Sequence, residues 1–457
     1  MGFARKLLRR AAVPATAIAL ALAVPMQAEA QGVIRDAEIE HILHQFGDPL
    51  FEAAGIKPSD VRIFMLNDNS LNAGVGGGNN MAINTGLIME CDDPTQLKGV
   101  MAHETGHLAA GHNVSRSQVG SAGTGVSLIT MGLGVLAIAA GAPDAAMALF
   151  ASAPQFSMLT VVKYVRAEES AADQYGITLM DRTHQSADGL VKFMEKFQYN
   201  ELMTEMKRDP YFRTHPVSTD RLNALRSRSA EVSARAQPQS EADIRALEMM
   251  KAKLVGYLGT PAKVLVRYPA KDQSVPAKYA RAFAAYKAVD LKVAMKEIDE
   301  LIAIDPTYPY FYELKGQILF ESGKSAESIA PHRKSVELAP GEAMLRVNLA
   351  RSLIGSKVKE NLEEATGVLV DTLAKEADNP FAWNQLADAY AELNQVPDAD
   401  LATAEEAYYV GDMPRAMNFA RRALQGLKPG TPNAIRADDI MAMADPRNIR
   451  NQRGRGH

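Results

Sequence analysis

The stretch Leu97-Lys-Gly-Val-Met-Ala-His103-Glu104-Thr-Gly-His107 decides how the N-terminal half of this sequence folds. Its apolar residues and the spacing of its two histidines predict a buried helix. At about 100° per residue, side chains four apart leave the same face of a helix, so both imidazoles can bind one metal ion. Glu104 lies beside them, where it can accept a proton from water. The alternative is a pair of core histidines without a metal.

A third protein ligand has to come from elsewhere, because catalytic zinc sites use three protein ligands and leave one position for water. His112 is the nearest candidate, but on a continuous helix it lies half a turn away from His103. Glu169 is the better candidate, since it falls in a second predicted helix over residues 162–180. Asp173, four residues later on the same face, can hydrogen-bond a ligating imidazole.

Composition limits the classes of protein that fit. The chain has 457 residues, enough for more than one domain. Its 50 basic and 54 acidic residues give a formal net charge of −4, which offers no positive field for nucleic acid. Cys91 is the single cysteine, so an internal disulfide and a thiolate metal site are both excluded. Any metal must therefore bind histidine and carboxylate side chains.

The N-terminus has the three parts of a secretory signal peptide. Basic residues come first, an uncharged run over residues 11–27 follows, and Ala28 and Ala30 supply the small residues of a cleavage site. An uncleaved anchor is the alternative, but Pro25 interrupts an apolar segment shorter than the roughly 20 residues that span a bilayer. We predict cleavage after Ala30 and a periplasmic mature protein.

The region around the metal motif predicts a mixed domain. Residues 34–54 read as an amphipathic helix, residues 61–66 and 81–85 as strands, and the glycine-rich residues 74–78 as a flexible hairpin loop. Residues 117–162 are apolar with a single charged residue. They are either a packed hairpin or lid over the site, or a segment that contacts the bilayer; arms too short to span a membrane favour the first interpretation.

Prolines recur beyond residue 265, at Pro306, Pro340, Pro380 and Pro429, and the first interval of 34 residues is the length of a tetratricopeptide repeat. Two sets of small residues share one spacing and predict close helix packing: Gly316, Gly323, Ser328 and Ser335, and Ala404, Gly411, Ala416 and Ala423. The predicted organisation is a signal peptide (1–30), a metalloprotease domain (31–240), a linker (241–265), helical repeats (266–445) and a disordered basic tail (446–457).

The motifs together resemble a known family. His103-Glu104-Thr-Gly-His107 followed by Glu169-Ser-Ala-Ala-Asp173 is similar to the zinc metallopeptidase family that includes the CAAX prenyl endopeptidase and HtpX. The signal peptide and the repeats are similar to its periplasmic branch, the beta-barrel assembly-enhancing proteases. The resemblance extends over nearly the whole mature chain, including Asn84-Thr-Gly86-Leu87 and His215-Pro216 with Arg221.

The resemblance implies a mainly α fold, in which an α+β zincin domain of the gluzincin type, with a small sheet, precedes a tetratricopeptide-repeat solenoid. It implies one Zn²⁺ per chain on His103, His107 and Glu169, with Glu104 as catalytic base and Asp173 and Arg221 as supporting residues. It also implies that His215 is a removable fourth ligand. The family's substrate strand corresponds here to Met81, Ala82, Ile83 and Asn84.

These features predict a periplasmic zinc metalloendopeptidase that hydrolyses misfolded or stalled outer-membrane proteins. His215 and Tyr164 are both candidates for stabilising the oxyanion, and a plain loop histidine is a third role for His215. The resemblance implies envelope proteins and outer-membrane assembly machinery as partners of the repeats, with peripheral membrane contact as a further interpretation and no nucleic acid. The alternative class is a repeat-based chaperone with a latent or silent metal site, against which the intact Glu104 argues.

Overall fold

The computed structural model describes residues 32–76, 78–111, 166–203, 215 and 217–444. They form an N-terminal domain, in which helices surround a small sheet, and a C-terminal series of paired helices. This confirms the predicted mainly α fold class. Across the described ranges, no helix is both long and apolar enough to cross a membrane.

The sheet has four strands: β1 (Val33–Ile34), β2 (Arg62–Leu66), β3 (Ala73–Gly76) and β4 (Asn80–Asn84). Their order is β1-β2-β4-β3, with β2 and β4 parallel and both outer pairs antiparallel. The predicted hairpin loop over residues 74–78 is therefore wrong where it overlaps β3. The glycines of β3 do not favour a strand by propensity. Hydrogen bonds to β4 nevertheless hold this segment as a strand.

The helices of the N-terminal domain pack around this sheet. They are α1 (Ala37–Ala53), α2 (Thr85–Glu90), α3 (Pro94–Ala109), α4 (166–182), α5 (Asp188–Met203) and α6 (Thr219–Ser233), with a 3₁₀ turn at Pro58–Asp60. Helix α1 begins where the Asp36 carboxylate accepts a hydrogen bond from the Ile39 N–H at 2.9 Å. Its apolar face buries Leu43 and Phe46 in the core.

The predicted linker over residues 241–265 is wrong for most of its length. Helix α7 (Glu241–Leu258) occupies it, capped by Ser240, whose hydroxyl accepts from the Asp243 N–H at 3.0 Å. Leu247, Met250 and Leu254 recur at helical spacing and belong to the core of the N-terminal domain. Helix α7 thus completes this domain and leads, through α8 (Pro261–Arg267), into the repeats.

Ten helices follow from Val275 onward in the described chain. They are α9 (Val275–Lys287), α10 (Leu291–Ile304), α11 (Pro309–Glu321), α12 (Ser325–Leu338), α13 (Ala343–Gly355), α14 (Lys359–Leu373), α15 (Pro380–Glu392), α16 (Val396–Tyr409), α17 (Met413–Gly426) and α18 (Pro432–Ala444). The first helices of the five pairs begin at residues 275, 309, 343, 380 and 413. The period of 34 residues is therefore kept twice and then varies, as a repeat solenoid allows.

The two matched sets of small residues mark helix crossings in different phases of the repeat. Gly316 and Ser328 lie on the two helices of the second pair, whereas Ala404 and Ala416 lie on the second helix of the fourth pair and the first helix of the fifth. Gly323 and Gly411 have positive φ and form turns between helices, not packing positions. The shared spacing therefore marks two helices that pack across a short turn. It does not mark equivalent positions of the repeat.

The N-terminal domain and the solenoid meet at a buried group of charges, which we call the interface cluster: Asp36, Glu38, Lys253 and Glu313. Lys253 Nζ lies 2.8 Å from Asp36, 3.1 Å from Glu38 and 3.3 Å from Glu313. Tyr279 and Tyr308 donate hydrogen bonds to Glu38 at 2.7 and 2.5 Å. Asn348 donates to Glu313 at 3.0 Å. The cluster links α1 and α7 to the first three helix pairs.

Candidate metal centre

Helix α3 carries both histidines of the H-E-x-x-H motif. It begins at Pro94, whose missing N–H costs nothing in the first turn, and the Asp93 carboxylate accepts from the Thr95 N–H at 2.8 Å. His103 and His107 are buried one turn apart on the same face. The helix predicted from the sequence therefore exists, and it presents both imidazoles to one point.

Helix α4 approaches α3 more closely than side chains normally allow. A Cβ on Gly106 would lie 2.8 Å from the Ala172 carbonyl oxygen, and a Cβ on Gly176 would lie 3.1 Å from the backbone of Ala102. A larger residue at either position would push the helices apart, since the interior is close-packed. This approach brings Glu169 of α4 level with the histidines of α3.

Four buried side chains converge between these helices: His103, His107, Glu169 and His215. One nitrogen or carboxylate oxygen from each lies within 4.8 Å of the others. Nε2 of His103 is 3.2 Å from Nε2 of His107 and 3.3 Å from Nδ1 of His215. Glu169 places Oε2 3.0 Å from His215 Nδ1 and Oε1 3.3 Å from His107 Nε2. The structure thus brings together all four side chains that the sequence suggests as ligands.

Glu104 lies at the edge of this group and is fully buried. Its Oε1 is 3.5 Å from Nε2 of His215. Neither carboxylate oxygen accepts a hydrogen bond from any residue that the structure describes. A buried acceptor without a hydrogen bond is costly, so Glu104 holds this position beside the centre at a cost in stability.

Asp173 and Arg221 support the group from behind. Arg221 donates to Asp173 from Nε at 2.7 Å and from Nη2 at 2.9 Å, and its Nη1 lies 3.4 Å from Glu169. Asp173 Oδ1 in turn lies 2.9 Å from Nδ1 of His103. A carboxylate beside Nδ1 can hold a proton there, which would leave Nε2 to bind a metal ion at the centre. Both residues therefore lie where the sequence predicts supporting roles.

The electrostatics of the centre stabilise positive charge. Burial alone would lower the pKa of His103, but the carboxylates of Asp173 and Glu169 outweigh it and raise the pKa to about 10. Burial would raise the pKa of Glu169, yet hydrogen bonds with His103, His107 and His215 lower it far below its usual range. Burial lowers the pKa of His107. These surroundings suit a bound cation.

Residues 37–229 match the sequence profile of peptidase family M48. The N-terminal domain is an M48 metallopeptidase. Over 414 residues the chain is 23% identical to the beta-barrel assembly-enhancing proteases of Escherichia coli (strain K12) and Yersinia pestis, a match that covers 89% of this chain and 83% of each relative. Metalloprotease YcaL of Escherichia coli (strain K12) is 27% identical over 182 residues, 38% of this chain and 63% of that protein. A solved structure, the P58(IPK) TPR domain, matches 78% of this chain and 99% of its own at 14% identity, with a TM-score of 0.18.

The M48 family implies a bound metal, and the side chains gathered here are of the types that bind one. Three imidazoles and one carboxylate point at a common centre, with imidazole nitrogens 3.2 to 3.3 Å apart. A metal cation placed there could bind all four side chains together. His103, His107, Glu169 and His215 are the side chains that could hold it.

The M48 domain opens beside Glu104 into a cleft of about 270 Å³. Its wall is the edge strand β3, from Ala73 to Gly76, together with Glu104, His107 and His215. Ala82 and Asn84 of the predicted substrate strand also line this cleft, but Met81, Ala82, Ile83 and Asn84 belong to β4, which pairs with β2 on one side and β3 on the other. A strand paired on both sides has no backbone groups to offer an added strand.

Asn72 is a cleft residue that the sequence reasoning missed. Its backbone carbonyl accepts from the Asn84 N–H at 2.9 Å, which fixes it at the head of β3, and its side-chain oxygen is buried without a partner within the described chain. The only available signal was an asparagine before a glycine-rich stretch, which reads as a turn. His112, Tyr164 and residues 117–162 lie outside the described residues.

Proposed function

We propose that this metallopeptidase is a zinc endopeptidase, with His103, His107 and Glu169 as zinc ligands and Glu104 as general base. The observation that carries the proposal is the convergence of three buried imidazoles and a carboxylate beside a second carboxylate that accepts no hydrogen bond from the described residues. Nitrogen donors favour zinc over calcium or magnesium, which prefer oxygen ligands. Three protein ligands with a position left for water are typical of catalytic zinc.

When bound, zinc supplies Lewis acidity that activates water and polarises a peptide carbonyl. Glu104 accepts the proton of the attacking water and returns it to the leaving amine. Asp173 holds the ring of His103, and Arg221 holds Asp173 and Glu169. His215 reaches the same centre, so we assign it the role of a fourth ligand that withdraws when substrate binds. In that role it keeps the resting enzyme latent.

The substrate adds to β3 as an antiparallel or parallel fifth strand, because β3 is the sheet edge that faces the cleft. A strand bonded to an edge uses the N–H groups of alternate residues. N-methylation of a peptide substrate, one residue at a time, should therefore lower kcat/KM at every second position. An effect that does not alternate would contradict strand addition.

Relatives that match most of this chain are named beta-barrel assembly-enhancing proteases. We therefore propose that the clients are outer-membrane proteins that are misfolded or stalled in assembly, and that the repeats bind them or the assembly machinery. The signal-peptide pattern of residues 1–30 supports cleavage after Ala30 and action in the periplasm.

Degradation of casein by the mature chain tests the proposed activity. Glu104→Gln should lower the rate by about 10²- to 10⁴-fold, the usual contribution of a general base, while one zinc per chain remains bound. His215→Ala should raise the rate, because it removes the fourth ligand. Equal rates for wild type and Glu104→Gln would contradict the protease mechanism and favour a chaperone with a silent site. An unchanged rate and zinc content in His215→Ala would contradict the latency.

A further inference from the structure

Residues 251–296 carry a strong positive charge in a chain that is acidic overall. They contain ten basic and two acidic residues, whereas the whole sequence has a formal net charge of −4. Both acidic side chains serve local turns: Asp272 accepts from the Ser274 N–H at 3.0 Å, and Asp290 accepts from the Val293 N–H at 3.1 Å. Charge of one sign, concentrated in this way, attracts anionic partners.

Helix α8 lies on the outside of this segment. Its Val264 is buried in a cluster with Ala252 of α7 and Ala280 of α9, so the opposite side of the helix faces solvent. That side and the adjoining turns form what we call the basic face. Its exposed residues are Leu258, Lys263, Leu265, Val266, Arg267, Lys271 and Val289.

The turn that carries Val289 is held beside the start of α8. Lys287, two residues before it, donates hydrogen bonds from Nζ to the carbonyls of Tyr257 at 2.7 Å and Gly259 at 2.6 Å. Gly259 is followed by Thr260, which caps α8. The ends of α7 and α9 are therefore fixed next to each other, and Val289 adjoins the apolar residues of α8.

The three cations of the basic face, Lys263, Arg267 and Lys271, form no ion pair with any residue that the structure describes. Elsewhere in the same segment, Lys278 pairs with Glu300, and Arg281 Nε lies 3.0 Å from Glu297. The positive charge of the basic face is therefore available to an anion outside the protein.

The apolar members of the basic face project into solvent. Val266 and Val289 are 83% and 80% exposed. Val289 also has a φ of 60°, which is unfavourable for a β-branched residue, whereas the equivalent turn of the second helix pair has Gly323 at 77°. Because so exposed a side chain packs against little, contacts within the described chain do not offset this strain. Backbone strain of this kind clusters at functional sites.

We propose that the basic face binds the surface of an anionic phospholipid bilayer. Lysine and arginine attract anionic headgroups, and apolar side chains that project between them enter the headgroup region. An acidic protein would also attract the charges, but side chains as exposed as Val266 and Val289 suit insertion into a fluid surface. The inference rests on the proposed function only for its location, since the periplasm lies between two membranes.

Sedimentation with vesicles of phosphatidylethanolamine and phosphatidylglycerol tests the charges, with the full mature chain. The wild type should sediment with these vesicles and far less with phosphatidylcholine alone. A triple variant, Lys263→Gln with Arg267→Gln and Lys271→Gln, should bind about tenfold more weakly or less, because each basic residue contributes to the attraction. The matched control removes three exposed lysines of the solenoid: Lys324→Gln, Lys334→Gln and Lys359→Gln. Wild-type protein that stays in the supernatant, or equal loss in both triple variants, overturns the proposal.

The double variant Val266→Ser with Val289→Gly tests the apolar contact. It should weaken vesicle binding by about tenfold, because two side chains no longer leave water. Its Tm should not fall, because glycine accepts the positive φ without strain. Val370→Ser with Val396→Ser, at two exposed positions of the solenoid, should bind as the wild type does. Unchanged binding of the first variant would mean that charge alone is recognised, as by an acidic protein, and overturns the bilayer.

Glu104→Gln separates this proposal from the proposed function. The variant should sediment with anionic vesicles as the wild type does, because Glu104 is buried in the cleft and is not part of the basic face. A wild type that binds vesicles but does not degrade casein would contradict only the protease function. Degradation of casein without vesicle binding would overturn only the role of the basic face.

Discussion

Two buried clusters in this molecule hold the same charges and differ in chemistry. Each contains three carboxylates and one strong cation. The metal centre contains Glu104, Glu169, Asp173 and Arg221, and the interface cluster contains Asp36, Glu38, Glu313 and Lys253. Both therefore carry an excess of negative charge in the protein interior, which is costly unless something compensates it.

The neighbouring side chains decide what compensates each cluster. Imidazoles surround the carboxylates of the metal centre, and their lone pairs can bind a metal. In the interface cluster the neighbours are hydroxyls of Tyr279 and Tyr308 and the amide of Asn348, which donate hydrogen bonds and place no lone pair toward a cation. Burial raises the pKa of Glu313 to about 7. Three carboxylates and one cation thus suit metal binding in the metal centre and proton binding in the interface cluster.

Replacement of Glu169 by Gln should have the largest effect, because it removes a negative ligand from the metal centre. We expect zinc affinity to fall by about 100-fold or more, beyond the loss typical of supporting residues alone. Proteolysis and the rise in Tm on adding zinc should fall with it, since a metal that binds only the folded state stabilises it. Metal analysis after dialysis measures the first effect.

The matching substitution in the other cluster, Glu38→Gln, is the control for this prediction. It should leave the zinc content at one per chain. If Glu169→Gln also retained one zinc with wild-type affinity, the carboxylate would not be a ligand, and the distinction between the two clusters would fail.

Lys253→Met should have the next largest effect. It leaves three carboxylates of the interface cluster without their cation, and breaking a buried ion pair costs about 3–5 kcal/mol. Urea denaturation of the zinc-loaded chain should show the loss at pH 8. Lys359→Met removes an exposed lysine, paired with Glu363, and should cost at most about 1 kcal/mol. Equal stability of the two variants would mean that Lys253 does not compensate the cluster.

The metal centre could be predicted from the sequence because its residues obey helix geometry. His103 and His107 share a face by spacing alone, and so do Glu169 and Asp173. The close packing of α3 against α4 was not predictable. Gly106 and Gly176 permit it, but a glycine in a sequence does not indicate which element will pack against it. The edge strand of the sheet was not predictable, because Ala-Gly-Val-Gly in β3 has no strand pattern, whereas the apolar β4 reads as a strand but is central.

The interface cluster could not be predicted at all. Glu38 lies in the first turn of α1, where an acidic side chain normally faces water and stabilises the helix dipole. Its hydrogen bond to Tyr279 spans 241 positions, and no local pattern reports so distant a contact. Helix α7, in contrast, had a capping serine at position 240 and apolar residues at helical spacing. That element was missed although its signal was present.

Glu313→Gln should have the smallest effect on stability, and the direction of that effect should depend on pH in a defined way. Because the pKa of Glu313 is raised to about 7 from 4.5, the folded cluster binds a proton that the unfolded chain releases between those values. The wild type should therefore gain stability as pH falls from 8 toward 5, by at most about 1.4 kcal/mol per pH unit from this group. Glutamine is neutral at every pH, so Glu313→Gln should be more stable than wild type at pH 8 and should lose this share of the slope.

Thermal unfolding of both zinc-loaded proteins at pH 6 and pH 8 measures the difference. His41 also gains stability from protonation, because its contact with Glu342 raises its pKa, so some slope of the same sign should remain in Glu313→Gln. Because of this remaining slope, the test is the difference between the pH slopes of the two proteins and not the wild-type slope alone. Identical slopes would mean that the proton of the interface cluster lies elsewhere. A Glu313→Gln protein less stable at pH 8 would mean that the carboxylate is held there by its charge, as Glu169 is in the metal centre.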